Sequence, residues 1–291
     1  MEGVIAAVPT PIDDALMPLR EPFLKHCRWL LRNGCDGLNI LGSTGEANSL
    51  DTSCRKDVMA WAGEAFGRER LMVGTGTPSL KETISLTSHA DVLGYPVALV
   101  LPPYYYKPAD PAGLKAWYLA LHEALGDRKI QIYFYNFPQM TGLALPVDLI
   151  ADLATHAPER FTGIKDSSGD LDYCRQIVAA APSIKVYPSS ETALRVADRD
   201  GFAGCISASV NVTAPLAAQV WLERSAPPEK LCQEMDRQRA LLAGPQLIPG
   251  IKHLVAVRSG DENWRRVLPP FMPLSDDAGQ VLQDGLNRDV N

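Results

Sequence analysis

The stretch Phe161-Thr162-Gly163-Ile164-Lys165-Asp166 is a short apolar run that ends in a lysine and an aspartate. A second apolar run, Ile130–Asn136, carries Tyr135 near its end. If both runs are strands of one barrel, their ends lie side by side at the mouth where βα loops gather catalytic groups. Apolar surroundings disfavour the charged form of an amine, and a neutral amine can attack a carbonyl. The stretch therefore predicts that Lys165 forms a Schiff base.

Eight short apolar runs of this kind recur along the chain, separated by segments whose apolar residues have helical spacing. Each run looks buried on both faces, which is typical of strands in a parallel sheet. Eight strand–helix units favour an α/β fold closed into a (β/α)8 TIM barrel; an open doubly wound sheet stays an alternative, because strand order cannot be read from sequence. The predicted strands are Val4–Thr10, Gly37–Leu41, Leu71–Gly76, Pro96–Pro102, Ile130–Asn136, Phe161–Asp166, Ile184–Ser190 and Phe202–Ala208.

One predicted helix precedes the last strand and one follows it, and the chain beyond them shows helices alone. The predicted helix Thr192–Asp200 follows strand seven, and Ala214–Arg224 follows strand eight and ends at Ser225-Ala226-Pro227-Pro228, a turn signal. We therefore expect residues 1–225 to form the barrel with the active site and residues 226–291 to form a C-terminal helical region packed on it. The helices predicted in that region are Glu229–Leu242, Leu247–Arg258 and Asp276–Arg288.

Composition excludes several functional classes. With 291 residues, 46% apolar and 21% charged, the chain can bury a large core, which argues against disorder. A formal charge of -6 and the lack of a Lys/Arg run predict no nucleic-acid partner. No uninterrupted apolar segment approaches membrane-spanning length, and the start Met1-Glu2-Gly3-Val4 lacks a signal-peptide pattern. We expect no membrane partner and a cytoplasmic location.

Metal-ligand and disulfide patterns are lacking too. The six cysteines contain no CxxC pair, which argues against a zinc ribbon or a disulfide framework. The histidines fall in predicted helices or at helix ends rather than at strand tips, so we expect no metal site. The histidines are His26, His89, His122, His156 and His253.

The segment Gly42-Ser43-Thr44-Gly45-Glu46 follows the predicted second strand. Glycines let the backbone approach a ligand, and successive N–H groups with two hydroxyls can cradle a carboxylate or a phosphate. Taken alone, the segment is more typical of a glycine-rich turn in which Ser43 or Thr44 caps the next helix. It matches neither the GxxxxGK phosphate loop nor the GxGxxG fingerprint.

The end of the fifth predicted strand is aromatic: Tyr133-Phe134-Tyr135-Asn136-Phe137-Pro138. Strand alternation places Tyr133 and Tyr135 on the same face, with Tyr135 nearer the mouth. Aromatic residues are ordinary in barrel cores, so Tyr135 alone could be a packing residue. Its expected neighbour Lys165 needs a proton carrier, and this favours a catalytic tyrosine.

Four motifs together resemble one family. Gly42–Glu46, Pro103-Tyr104-Tyr105, Tyr135-Asn136-Phe137-Pro138 and Gly163-Ile164-Lys165-Asp166, in this order and spacing, are similar to the dihydrodipicolinate synthase / N-acetylneuraminate lyase family. The similarity spans the whole chain, including Val8-Pro9-Thr10-Pro11. It implies a (β/α)8 barrel, no metal, a homotetramer built as a dimer of dimers, and pyruvate held as an imine on Lys165 with no separate cofactor.

The resemblance also implies individual roles. Lys165 matches the Schiff-base lysine and Tyr135 the tyrosine that shuttles protons. Ser43 and Thr44 match the pair that binds the pyruvate carboxylate and relays protons. An imine makes C3 of pyruvate acidic, and Tyr135 can accept or return a proton at the carbinolamine or aldol oxygen.

Other matched positions concern subunit contact and substrate. Tyr105 matches a catalytic tyrosine that enters from a neighbouring subunit, and Ile206 the residue whose backbone lies beside bound pyruvate. Met140 stands where the lysine-pathway synthases carry an arginine that grips the carboxylate of aspartate semialdehyde. A thioether cannot form such an ion pair, so the match weakens the synthase assignment.

Sugar-binding positions give a mixed result. Ser190 and Glu191 lie close to where sialic acid lyases bind sugar hydroxyls, and we expect both to contact substrate. Ala208 replaces a hydroxyl that those lyases carry, which weakens sialic acid as the substrate.

The sequence therefore predicts a class I pyruvate-dependent lyase or aldolase whose partners are a small 2-oxo acid and an aldehyde. Its substrate would be a 2-keto-3-deoxy sugar acid or a similar 2-oxo acid. Three alternatives stay open: a dehydratase of a keto-deoxy sugar acid, a dihydrodipicolinate (4-hydroxy-tetrahydrodipicolinate) synthase, and a 2-oxo-acid-binding regulatory barrel without turnover.

Overall fold

Eight parallel strands form a nearly closed barrel in the computed structural model, which describes residues 1–107, 109–244 and 246–288. The sheet order is β7-β6-β5-β4-β3-β2-β1-β8, with β1 paired to both β2 and β8. At the β7–β8 seam, the N–H of Ala203 donates to the carbonyl of Val186 at 2.9 Å. The predicted TIM barrel is confirmed and the open sheet is wrong. The strands are β1 Gly3–Ala7, β2 Gly37–Ile40, β3 Leu71–Gly74, β4 Val97–Val100, β5 Gln131–Asn136, β6 Phe161–Asp166, β7 Lys185–Pro188 and β8 Gly204–Ser207.

Helices surround the barrel and continue beyond it. None of the helices described is both long and apolar enough to cross a membrane. Their bounds are α1 Arg20–Arg32, α2 Thr52–Ala65, α3 Leu80–Val92, α4 Pro111–Leu125, α5 Pro138–Thr141, α6 Val147–His156, α7 Leu171–Ala180, α8 Ala197–Asp200, α9 Val210–Leu222, α10 Glu229–Leu241, α11 Leu247–Ser259 and α12 Asp276–Asn287, with 3-10 turns at Ala47–Ser49, Arg68–Arg70, Glu191–Val196 and Glu262–Arg265.

Strand alternation divides the core into two layers. One set of side chains, including Ile5, Tyr133, Tyr187 and Ile206, fills the inside of the barrel. The other set packs between the strands and the surrounding helices. This two-sided burial explains why the strands are continuous apolar runs in the sequence. It also fixes which residues at the strand ends face the mouth.

The largest departure from the predicted elements lies on either side of β8. The predicted helix Thr192–Asp200 is a 3-10 turn followed by the short helix α8. The predicted helix Ala214–Arg224 begins earlier, at Val210, so that Pro215 lies inside α9. Proline has no N–H and leaves the carbonyl of Asn211 without its helical partner. The guanidinium of Arg258 donates to that carbonyl at 2.7 Å, which explains how the helix tolerates the proline.

The C-terminal helices predicted after residue 226 are present as α10, α11 and α12, with ends that differ by one residue. Ile251 and Trp264 belong to a separate apolar cluster, which Ala208 and Val212 from the barrel contact. Buried Lys252 of α11 pairs with buried Glu46, which follows β2. The C-terminal helices therefore pack against the mouth of the barrel.

Candidate active site

Lys165 and Tyr135 lie next to each other at the mouth, because β5 and β6 pair in a register that sets Tyr135 opposite Lys165. The Lys165 Nζ lies 4.5 Å from the centroid of the Tyr135 ring, and the lysine is only 4% exposed. The hydroxyl of Tyr135 is 3.3 Å from the Oγ of Ser43. An amine, a phenol and an alcohol therefore stand in one small group, in which protons can pass between the two hydroxyls.

The loop that carries Ser43 is held in an unusual backbone conformation. Leu41 and Glu46, which bracket it, both have positive φ, 53° and 55°. Non-glycine residues in this region cost free energy and persist only where the surroundings impose them, often at functional sites. Within the described part of the chain, the N–H groups of Ser43 and Thr44 donate no hydrogen bond. They are suited to receive an anion.

Glu46 fastens this loop to the C-terminal helices. Its Oε1 pairs with the Lys252 Nζ at 2.6 Å, and its Oε2 accepts the backbone N–H of Leu268 at 2.5 Å. Both charged side chains are fully or almost fully buried. Burial lowers the pKa of Lys252, while the charge and hydrogen bond of Glu46 act in the opposite direction.

A second polar link holds β5 and β6 together behind the site. The Nδ2 of Asn136 donates to the Oδ1 of Asp166 at 2.7 Å, and Ser168 donates to the Oδ2. Burial raises the pKa of Asp166, although the hydrogen bonds from Ser168 and Asn136 oppose this shift. Because Asn136 and Asp166 directly follow Tyr135 and Lys165, their hydrogen bond supports the pairing of the tyrosine with the lysine. Sequence reasoning missed this link.

A cavity of about 220 Å³ opens over Lys165. It is smaller than the usual range for drug-sized ligands and suits a small metabolite. A neighbouring hollow of about 200 Å³ shares Ser43 and Met140 with it and also contains Tyr104. The predicted site residues that line the 220 Å³ cavity are Ser43, Thr44, Tyr135, Met140, Lys165 and Ile206.

Three of the predicted residues lie outside this cavity, and the first two are Tyr105 and Ser190. Tyr105 is 73% exposed on the loop after β4 and packs edge-on against Tyr106. Ser190 bonds to the Oγ1 of Thr192 at 2.8 Å and caps the following 3-10 turn. Strand alternation puts Ser189, two residues after the inward-facing Tyr187, into the cavity instead.

Glu191 is also outside the cavity and fully buried. Its Oε2 accepts from the hydroxyls of Ser207 and Ser209 at 2.6 and 2.7 Å, and its Oε1 from Thr213 at 2.9 Å. In the structure these hydroxyls of the protein engage the Glu191 carboxylate. Its expected contact with substrate stays a prediction.

Arg239 lines the cavity and was missed. It belongs to α10, in the region that we predicted to be an appendage. Its Nη1 donates to the carbonyl of Leu242 at 2.8 Å, and its Nε lies 4.0 Å from the Oε2 of Glu191. No local pattern marks this arginine, because its place depends on how α10 packs on the barrel.

Potential metal ligands and cysteines are not clustered in the part of the chain that is described. Within it, no group of three or more His, Cys, Asp or Glu side chains could hold a metal ion. All six cysteines are buried and unpaired. The cavity is thus lined mainly by hydroxyl groups, apolar side chains and two basic residues.

Comparison with known proteins gives consistent matches along the chain. The model of the dihydrodipicolinate synthetase family matches residues 1–288. An uncharacterized DapA-like lyase of Chloroflexus aurantiacus is 32% identical over 225 residues, which are 75% of this chain and 73% of that protein. A 4-hydroxy-tetrahydrodipicolinate synthase of Rhizobium meliloti is 32% identical over 220 residues, with shares of 75% and 73%. The crystal structure of dihydrodipicolinate synthase from Agrobacterium tumefaciens superimposes with a TM-score of 0.90 at 25% identity, covering 99% of this chain and 100% of that one.

Proposed function

The chain belongs to the dihydrodipicolinate synthetase family, and on that premise we propose that it is a class I pyruvate-dependent lyase. It cleaves or forms a 2-keto-3-deoxy sugar acid or a similar 2-oxo acid. Members of the family are lyases and aldolases, which is the general class; the substrate is our proposal. The observation that carries it is the buried Lys165 beside Tyr135 and Ser43 in one small cavity.

The first stage joins the substrate to the enzyme. The 2-oxo acid places its carboxylate against the free N–H groups and hydroxyls of Ser43 and Thr44. The amine of Lys165 attacks C2, and the carbinolamine loses water after its oxygen receives a proton from Tyr135. The product is an imine that draws electrons from C3.

The second stage breaks the carbon–carbon bond. The C4 hydroxyl gives its proton to the Tyr135 oxygen, the C4–O bond becomes a carbonyl, and the C3–C4 electron pair moves to C3 and the imine. The aldehyde leaves, C3 of the enamine is protonated, and water hydrolyses the imine to release pyruvate. Synthesis is the reverse sequence, so the same groups serve both directions.

Borohydride reduction tests the proposal. Incubation with pyruvate and borohydride should inactivate the protein and leave a reduced adduct on the peptide that contains Lys165. Tyr135→Phe removes one oxygen, so we expect turnover of a keto-deoxy acid to fall about 10²–10⁴-fold while an adduct still forms. Adduct mass and released pyruvate are the measurements.

Different results would contradict different parts of the proposed function. An adduct on another lysine alone would refute the role of Lys165, and no adduct would favour a regulatory barrel. Near-normal turnover of Tyr135→Phe would make Tyr135 a packing residue. Water loss without pyruvate release would identify a dehydratase.

A synthase is the second candidate, because the Rhizobium meliloti relative carries that name. Met140 is 65% exposed at the cavity and offers a thioether where the resemblance expects an arginine, so a synthase would need its carboxylate-binding cation elsewhere in the site. Aspartate semialdehyde therefore belongs in the substrate panel. The homotetramer, the contribution of Tyr105 across an interface, and the lack of a separate cofactor stay predictions.

A further inference from the structure

The charged side chains that line the cavity have one sign. Among its described lining residues, Lys165 and Arg239 are basic and none is acidic. Lys165 is bonded to C2 of the substrate during the proposed reaction, and the N–H groups and hydroxyls of Ser43 and Thr44 meet the adjacent carboxylate. Arg239 is a cation that this chemistry does not use.

The described residues engage the guanidinium of Arg239 only in part. A guanidinium has five N–H donors, and among the described residues one donor of Arg239 bonds, to the carbonyl of Leu242. The 4.0 Å between its Nε and the nearest Glu191 oxygen is too long for a hydrogen bond. Arg237 in the same helix differs, because it bonds to Glu234 through two nitrogens and to the carbonyl of Gly285 through a third.

We propose that Arg239 binds a second carboxylate, at the end of the substrate remote from C2. This inference rests on the proposed function and narrows it: the preferred substrate is a 2-keto-3-deoxy dicarboxylic acid, cleaved at C3–C4 to pyruvate and an aldehyde that carries the second carboxylate. The carboxylate-binding cation then comes from α10 rather than from the loop after β5, where Met140 stands.

The charge balance favours a carboxylate over a phosphate ester. Arg239 brings one positive charge, and the buried Glu191 carboxylate lies 4.0 Å behind it. A phosphate monoester carries about -1.5 to -2 charges at neutral pH, which one arginine in front of a carboxylate does not neutralise. A carboxylate carries one charge and matches the planar fork of a guanidinium.

The test uses 2-keto-3-deoxy acids of equal length and stereochemistry that end in a carboxylate, a hydroxymethyl group or a phosphate ester. We expect the protein to have the highest kcat/KM for the dicarboxylate. Arg239→Met should lower that value about 10- to 150-fold, which corresponds to losing a charged hydrogen bond, and change the hydroxymethyl substrate less than about threefold. Arg239→Lys should recover part of the loss, and Arg237→Met, the control on the same helix, should leave the preference unchanged.

A binding measurement separates this inference from the proposed function. Calorimetry with an unreactive 2-hydroxy dicarboxylate of the same length should show weaker binding to Arg239→Met, whether or not the enzyme turns over. The inference would be overturned if the unmodified protein and Arg239→Met bound this compound with equal affinity. It would also be overturned if Arg239→Met lowered kcat/KM equally for the acidic and neutral substrates, or if the unmodified protein preferred the hydroxymethyl or phosphate compound. Failure of borohydride trapping at Lys165 would instead refute the Schiff-base function, and trapping that persists in Arg239→Met shows that the variant is folded.

Discussion

Two buried carboxylates near the barrel mouth, Glu46 and Glu191, are satisfied in opposite ways. Glu46 pairs closely with Lys252 and accepts one backbone N–H. Glu191 accepts hydroxyl groups from β8 and α9, and its nearest basic group, Arg239, stays 4.0 Å away. A buried acid needs compensation, but that compensation can be an opposite charge or a set of neutral donors. Where neutral donors are enough to compensate the buried carboxylate, a nearby cation such as Arg239 is able to bind a ligand.

The comparison of Glu46 with Glu191 predicts that the largest loss of stability follows from replacing Lys252. Lys252→Met leaves the buried Glu46 carboxylate without its counter-charge, and breaking such a pair costs about 3–5 kcal/mol. We expect the free energy of unfolding, measured by urea denaturation, to fall by about that amount.

The control is the double variant Glu46→Gln/Lys252→Met, which removes both charges. It should recover much of the lost stability, because replacing a whole buried pair is often close to neutral. If Lys252→Met alone is as stable as the unmodified protein, Glu46 does not depend on Lys252 and the contrast with Glu191 disappears.

A smaller loss is expected at the second carboxylate. Glu191→Gln keeps one acceptor but replaces an oxygen with a donor, so one or two of the bonded hydroxyls must turn to new partners. Unsatisfied buried groups cost about 1–3 kcal/mol, and we expect urea denaturation to show a loss in this range. A loss as large as that of Lys252→Met would mean that the hydroxyls alone do not satisfy this site.

The smallest effect on stability is expected for Arg239→Met. Its side chain is 24% exposed and its Nε lies 4.0 Å from a carboxylate that already accepts three hydroxyl hydrogen bonds, so we expect a loss of only about 0–1 kcal/mol, as for exposed ion pairs. The same urea experiment should give a loss within that range, even though dicarboxylate turnover falls. A loss of several kcal/mol would make Arg239 the structural counter-charge of Glu191, and the assignment to substrate would lose its physical basis.

Much of the fold could be predicted because its signals are local. Each strand is buried on both faces and appears as a short apolar run, so all eight strands overlap the predicted runs. Gly3 alone lies outside them, one residue before the first run, and several strands end two or three residues before their runs do. The juxtaposition of Lys165 and Tyr135 was predictable because each is the penultimate residue of one of two adjacent strands, and the register of these strands brings them together. The 3-10 turn before α8 was not predictable from helical spacing, and Pro215 concealed the true start of α9.

The outer wall of the site was harder to predict because it depends on tertiary packing. Ser190 was expected to face the substrate, yet alternation after Tyr187 selects Ser189. The role of Glu191 depends on hydroxyls from β8 and α9. Arg239 reaches the cavity from a helix far along the chain, and nothing in its local sequence shows which neighbour it will meet.

The alternation at the end of β8 has an evolutionary consequence. Ile206 and Ala208 face the cavity, whereas Ser207 and Ser209 face away and bind Glu191. Substitutions at neighbouring positions of this segment therefore have different effects on the protein. Exchanges at position 208 can alter the shape of the wall and hence the range of aldehydes accepted, while exchanges at 207 or 209 disturb a buried carboxylate. New specificities can thus arise along one face of this strand while the other keeps the scaffold intact.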